Sequence, residues 1–419
     1  MTIRSANKVN ENKWYKLDNA AKIYPAISRG SGGSVFRVAV QLTSEVHPGT
    51  LQKALEDILP RFPTMAVRMH RGLFWYYFDA NPKEPMVFQE EAPPCRPIRI
   101  EENNGFLFRV CYYQKRIALE VFHALTDGTG AMAFLKALTF HYLQLTGAKL
   151  SSDDTILHNQ MLPKAEETED SFKKYYDNRM KCRWTEDKAY QVQGTRMPRG
   201  YVGIIHGIVP VKIMLELARG AGATVTEYIT ALMIYAIYNI QLKKRNCPLP
   251  VKISVPVNLR NFFPSQTLRN FSSYVNVGMR FTKEDWTFEQ VLENVVKTMR
   301  SEVQPDKLIA KLSANVKAET NVFMRIVPLF IKDIVLKTAF NAYGESLFSS
   351  TLSNLGAVKL PESMARYVER FEFVLGPPAL NMFNCTICSF RDEMILTFTK
   401  AMHETDIERF FFRFLAEKG

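Results

Sequence analysis

A chain of 419 residues, 47% hydrophobic and 23% charged, has the composition of a globular protein and a length that suits two domains better than one core. Its net charge of +12 fits either a polyanionic small ligand or simply a basic surface; the cations are dispersed and carry no zinc-finger or RNP-type signature, which argues against nucleic acid. The polar start MTIRSANKVNENKWYKL lacks the apolar centre of a signal peptide, and Cys95, Cys111, Cys182, Cys247, Cys385 and Cys388 are scattered as free thiols would be, so a cytoplasmic protein is expected.

In chain order, SVFRVAVQL (34–42) alternates as a strand does, and Leu51, Leu55 and Ile58 predict a helix in HPGTLQKALEDIL. RFPTMAVRMHRGLFWYYFDAN (61–81) has aromatic and β-branched strand content around a glycine turn. FLFRVCYY and RIALEVFHAL, joined by Gln-Lys, predict a hairpin whose second strand puts Ile117, Leu119, Val121 and His123 on one face. After Gly130, a stripe of Met132, Leu135, Leu138 and Tyr142 predicts a helix ending near Gly147. Residues 1–150 therefore read as one α/β unit. Residues 151–200 are polar and charged and read as a crossover, and 201–419 as a second α/β unit. The second unit carries predicted helices in VTEYITALMIYAIYNI and FEQVLENVVKTMRSEV. Its predicted strands lie in VKISVPVNLR, FSSYVNVGMRF, LFSSTLSNLGAVKLP and MILTFTKAM. The apolar stretch 228–242 is short for a membrane span and suits a buried helix. A second apolar stretch, 322–340, is interrupted by Arg325, Pro328, Lys332, Asp333 and Lys337, and leaves a peripheral membrane contact open.

The strongest chemical signal is EVFHALTDGTGAM (120–132). A strand runs into His123, and Asp127 and Gly128 follow. Thr-Asp-Gly-Thr-Gly is ordinary turn chemistry, and Asp127 is well placed to cap the helix behind it. The alternative is a general base beside a carboxylate held in a buried ion pair. The spacing by itself allows both.

His123-Ala-Leu-Thr-Asp127-Gly128 also fits the pattern H-x-x-x-D-G, with a strand before it and a helix after it. LARGAGATVTEYITALMIYAI, PVNLR followed by NFSSYVNVG, and LSNLG come after it in order. On these stretches the chain resembles the chloramphenicol-acetyltransferase-like superfamily, which includes alcohol O-acetyltransferases, peptide-synthetase condensation domains and plant BAHD acyltransferases. The alcohol O-acetyltransferase branch is the nearest. Phe122 stands where condensation domains usually have a second His, and the D-F-G-W-G motif of the plant enzymes is absent.

The resemblance implies an α/β fold of two sandwich domains forming a pseudo-dimer, with the active-site channel between them. It implies transfer of an acyl group from acyl-CoA, acetyl-CoA first among them, to an alcohol hydroxyl in a ternary complex. His123 would be the general base. Asp127 would pair with an arginine, for which Arg260 at the end of PVNLR is the candidate. Gly128 lets the backbone pass close to substrate and offers its N–H. Ser353 and Asn354 are candidate oxyanion donors by their place in LSNLG, or else a polar strand end; Asn270 is a candidate channel residue or a loop cap. GGS at 32–34 lacks the G-x-S-x-G frame of a nucleophile elbow. Two alternatives keep the fold: a condensation-like enzyme with an acyl carrier protein donor, and a non-catalytic binder of acyl thioesters, against which the intact His123, Asp127 and Gly128 argue.

No permanently bound cofactor is implied, and a monomer is expected. His47, His70, His141, His158, His206 and His403 show no metal-ligand spacing, so no metal is expected; His141 reads as a helix-surface residue. Cys385-Thr-Ile-Cys388 is a lone C-x-x-C in a strand-like run, a weak sign of metal or redox chemistry.

Overall fold

A computed structural model describes residues 14–31, 34–180, 186–198, 200–243, 247–282, 285–321, 325–377 and 380–419. Most of the N-terminal stretch read for a signal peptide, together with Gly32, Gly33 and Cys182, lies outside the described residues. The alternating segments of the first half form a five-stranded sheet. Its spatial order is Val368–Leu375, Val35–Leu42, Arg116–Phe122, Phe108–Tyr113 and Val87–Gln89, with only the last pair parallel. Ile117, Leu119 and Val121 point from the central strand into a core shared with Leu51, Leu55 and Ile58 of the helix Pro48–Ile58 and with Phe134 and Leu138 of the helix Gly128–Leu145. The latter helix is followed by Gly147, at φ 93°. On the alternate face Glu120 is fully buried, and it accepts hydrogen bonds from Arg37 (2.6 and 2.9 Å), Arg109 and the Cys95 N–H.

The second half builds a six-stranded sheet in the order Ser272–Met279, Val251–Asn258, Ser350–Ala357, Phe383–Phe390, Glu393–Lys400 and Gly203–Pro210. Ser350–Ala357 runs parallel to both of its neighbours; the other pairs are antiparallel. The helices Val225–Ile237, Phe288–Glu302 and Asp406–Lys418 pack into its core. The first two start at capping boxes, Thr224 with Glu227 and Thr287 with Gln290. The apolar stretch 228–242 is largely buried here, Ile240 excepted, as most of one helix and a π turn, Tyr238–Leu242. Among the described residues no single helix is long and apolar enough to cross a membrane.

Two α/β sandwiches of this kind form a pseudo-dimer, but the chain does not divide cleanly at residue 200. The strand Val368–Leu375 leaves the second half to become the edge of the first sheet. Phe371 and Phe373 explain why: they enter the first core, opposite the strand Val35–Leu42. The crossover is also anchored in the first half, through a buried pair of hydrogen bonds from Arg61 to Glu167 at 2.6 and 2.8 Å. Residues 61–81 form a hairpin that makes a separate three-stranded sheet with Trp14–Lys16.

Cys95, Cys111, Cys247, Cys385 and Cys388 are free thiols. Cys385 and Cys388 lie three apart on one strand, so they face opposite ways, one into each core. Burial raises both thiol pKa values, that of Cys388 to about 12. His141 is buried rather than on the helix surface, with Nε2 3.1 Å from the Asp57 carboxylate.

Candidate active site

The strand Arg116–Phe122 stops one residue before His123, yet the His123 N–H still donates to the Ser34 carbonyl at 2.8 Å. This keeps the residue in line with the sheet. Its ring, partly exposed, stacks on Tyr24 with centroids 4.6 Å apart and planes 13° apart, and Phe36 meets it edge-on at 5.0 Å. Nδ1 lies 3.1 Å from Oδ1 of Asn270.

The far end of that amide sets its orientation. Asn270 Nδ2 donates to Oδ2 of Asp18 at 3.2 Å, and Asp18 also accepts from the Ala21 N–H at 2.8 Å. Asn270 and Asp18 are both buried. An ionised carboxylate only accepts, so the NH2 group of Asn270 faces Asp18 and its oxygen faces the imidazole. The proton of a neutral His123 then sits on Nδ1, and Nε2 keeps its lone pair. Among the described residues no hydrogen bond engages Nε2. Burial lowers the imidazole pKa, against the opposing effects of its own backbone, the Asp127 charge and Asn270. Burial raises the Asp18 carboxyl to about 6, with Arg269, 3.6 Å away, opposing it.

Asp127 does both of the jobs its sequence allows. Oδ1 accepts from the N–H groups of Thr129 (3.1 Å) and Gly130 (3.2 Å), capping the helix Gly128–Leu145. Oδ2 accepts from Arg260 at 2.8 Å and from the Phe271 N–H at 2.9 Å. These four donors occupy the carboxylate without the imidazole. Arg260 spends its other donors on the carbonyls of Thr267 and Arg269 and on the Asn258 side chain. The pair therefore holds the segment carrying Asn270 against the start of the helix. Close packing completes the junction. Thr126 Oγ1 donates to the Leu268 carbonyl at 2.5 Å, and a Cβ on Gly130 would collide with both of those groups. A Cβ on Gly128 would sit 2.5 Å from Cδ2 of Leu355, so the strand Ser350–Ala357 passes directly against Gly128.

Ser353 and Asn354 lie on that strand. The Asn354 amide donates to Thr226 at 3.0 Å and its oxygen accepts from the Gly356 N–H at 2.7 Å, so both polar ends are engaged within the second half. Ser353 is opposite Thr386 in the ladder. Neither bonds His123 among the described hydrogen bonds. Asp18, Tyr24 and Phe36 were not singled out from sequence. Asp18 stands in WYKLDNA without a flanking motif, and only the fold brings it to Asn270.

A cavity of about 390 Å³ lies beside the site, walled by Ser34, Val35, Ile98, Leu107 and Phe122. Among the described residues no group of three or more His, Cys, Asp or Glu side chains is arranged to hold a metal ion.

Residues 210–368 match the family model described as alcohol acetyltransferase. Over that stretch the chain is similar to the alcohol acetyltransferases. The matched stretch holds Arg260, Asn270, Ser353 and Asn354, while His123 and Asp127 lie outside it. The chain shares its fold with trichothecene 15-O-acetyltransferase from Fusarium sporotrichioides, at 12% identity and a TM-score of 0.61 over 99% of this chain and 96% of that one. A starter condensation domain of rhizomide synthetase in complex with C8-CoA and Leu-SNAC is 14% identical, with a TM-score of 0.60 over 96% and 93% of the two chains. Polyketide synthase associated protein 5 from Mycobacterium tuberculosis is 13% identical, with a TM-score of 0.58 over 97% and 99%. No curated protein matches the sequence.

Proposed function

We propose that the protein moves an acyl group from a CoA thioester, acetyl-CoA first among them, to the hydroxyl of a small alcohol, with His123 as general base. The observation that carries this reading is the bond between His123 Nδ1 and Asn270 Oδ1 at 3.1 Å. It leaves the unprotonated Nε2 as the base. The acceptor hydroxyl gives its proton to Nε2 as its oxygen attacks the thioester carbonyl. The tetrahedral intermediate then collapses, the C–S bond breaks, and the imidazolium returns the proton to the departing thiolate. The transfer is direct, with no acyl-enzyme. Asp127 and Arg260 act on the geometry, not on the proton. Gly128 and Ser353 remain the candidates for oxyanion contact; Asn354 is less suited, because Thr226 and Gly356 engage it. The apolar wall of the cavity beside Phe122 suits an apolar acyl chain or alcohol.

The alcohol acetyltransferase match supports a CoA donor, and so does a neighbour of the same fold that was crystallised with C8-CoA. The condensation-domain likeness favours a second reading, in which the acyl group arrives on a carrier protein. Thiol release from acetyl-CoA and longer acyl-CoAs, measured with a panel of alcohols, tests the first reading. Turnover only with acyl carrier proteins would replace it with the second.

A further inference from the structure

Among the described residues, the helix Leu329–Tyr343 presents an exposed apolar face. Phe330, Ile331, Ile334 and Val335 occupy one side of it at helical spacing, and all are exposed, Ile334 by 64%. Ile326, just before the helix, is equally exposed. The Leu329 N–H donates to the Leu73 carbonyl at 2.9 Å, which brings the tip of the hairpin 61–81 alongside. Leu73 is 72% exposed there. Lys332 pins the same tip from beneath, donating to the Phe74 carbonyl at 2.9 Å with its ammonium 3.6 Å from the Trp75 ring centre. Two elements far apart in sequence thus offer one continuous apolar surface, larger than scattered exposed residues would make.

The net charge around it is positive. Arg325 and Lys337 are exposed on the helix side, and Arg71 is about half exposed on the hairpin side. The acid on the helix, Asp333, accepts from the Tyr76 hydroxyl at 2.9 Å and lies 3.7 Å from Arg71, so those two charges offset each other and Arg325 and Lys337 carry the net charge of the rim. A second copy pressed against this face would set cation against cation. An apolar stripe with a cationic rim matches an anionic bilayer instead, with side chains among the acyl chains and cations at the headgroups.

We infer that Leu73, Ile326 and the Phe330, Ile331, Ile334 and Val335 face of the helix dock the protein on a bilayer containing anionic lipid. The docking does not depend on the catalytic reading. It would put the cavity of about 690 Å³ walled by Leu73, Phe74 and Arg325 at the lipid surface, within reach of lipophilic molecules.

The test is co-sedimentation of the full chain with vesicles of phosphatidylcholine alone and of phosphatidylcholine with phosphatidylserine. The wild type is expected to bind the second at least tenfold better and to be released by salt. A Phe330→Ser, Ile334→Ser double variant and an Arg325→Glu, Lys337→Glu double variant are each expected to lose at least tenfold in binding, with melting curves unchanged because these side chains are exposed. Absence of wild-type binding, or equal binding by the variants, would overturn the docking. Equal binding to both vesicles would overturn the anionic partner. A wild-type dimer in solution that the apolar variant dissolves would assign the face to a second copy and overturn the inference.

Discussion

The side-chain oxygen of Asn270 lies 3.1 Å from Nδ1 of His123, and it faces that way because its amide nitrogen is held by Asp18. Removing Asp18 frees the amide to turn. An NH2 group facing Nδ1 demands an acceptor there, so the ring proton moves to Nε2 and the base is lost. Asp18→Ala and Asn270→Ala are each expected to lower kcat by roughly 100-fold or more while changing KM little. Steady-state rates over a range of acetyl-CoA and alcohol concentrations check this; a rise in KM with kcat unchanged would show that these residues bind substrate instead.

Asp127 caps a helix with one oxygen and pairs with Arg260 through the other, and variants can separate the two. Asp127→Asn keeps a good cap but removes the charge, leaving the partly buried Arg260 without its counter-ion, a loss of up to roughly 3–5 kcal/mol. Asp127→Ala loses the cap as well, roughly a further 1 kcal/mol. Urea unfolding of both variants measures the difference.

The pKa shifts predict two pH dependences of opposite sign. Burial depresses the His123 imidazole, so the base stays neutral below pH 6.5, and the acid limb of kcat/KM is expected to have its midpoint below that value. In stability terms the neutral His123 contributes fully above 6.5, and this is lost as pH falls through the folded pKa. Asp18 is raised to about 6, so the folded protein keeps that proton longer than the unfolded chain does. Its contribution is full below about pH 4 and is lost as pH rises through about 6. The stability of the wild type relative to Asp18→Asn should therefore decline between about pH 4 and pH 6, as urea melts at stepped pH would show.

Gly130→Ala should damage the enzyme although it only adds a methyl group at a helical position. That methyl would collide with the Leu268 carbonyl and the Thr126 hydroxyl, pushing the Asn270 segment away from the helix. A loss of roughly 1–3 kcal/mol is expected, with a fall in kcat. Gly147→Ala at the far end of the helix, where φ is positive and space is open, should cost about 1 kcal/mol and leave kcat unchanged.

Local patterns made much of the fold legible. The hairpin before His123 and the helix after Asp127 follow from two-residue and helical spacings in one stretch of chain. Long-range pairing was less legible. FEFVL alternates as a strand should, but nothing in it shows that Phe371 and Phe373 serve the first core rather than the second. The site divides in the same way. His123, Asp127 and Gly128 share one motif, while Asp18 joins them through a contact across 252 residues of chain. For Asn354, a motif position says which strand a residue occupies, not which way its amide turns; Thr226 decides that.

The proposed role of His123 is to take the proton of an alcohol as an acyl thioester is cleaved. The direct measurement is thiol release from acetyl-CoA with an alcohol acceptor, for wild type and His123→Ala, alongside a melting curve of each. The expected result is alcohol-dependent release by the wild type, a loss of roughly 100- to 10,000-fold in His123→Ala, and little change in melting. An unchanged rate in His123→Ala would contradict it.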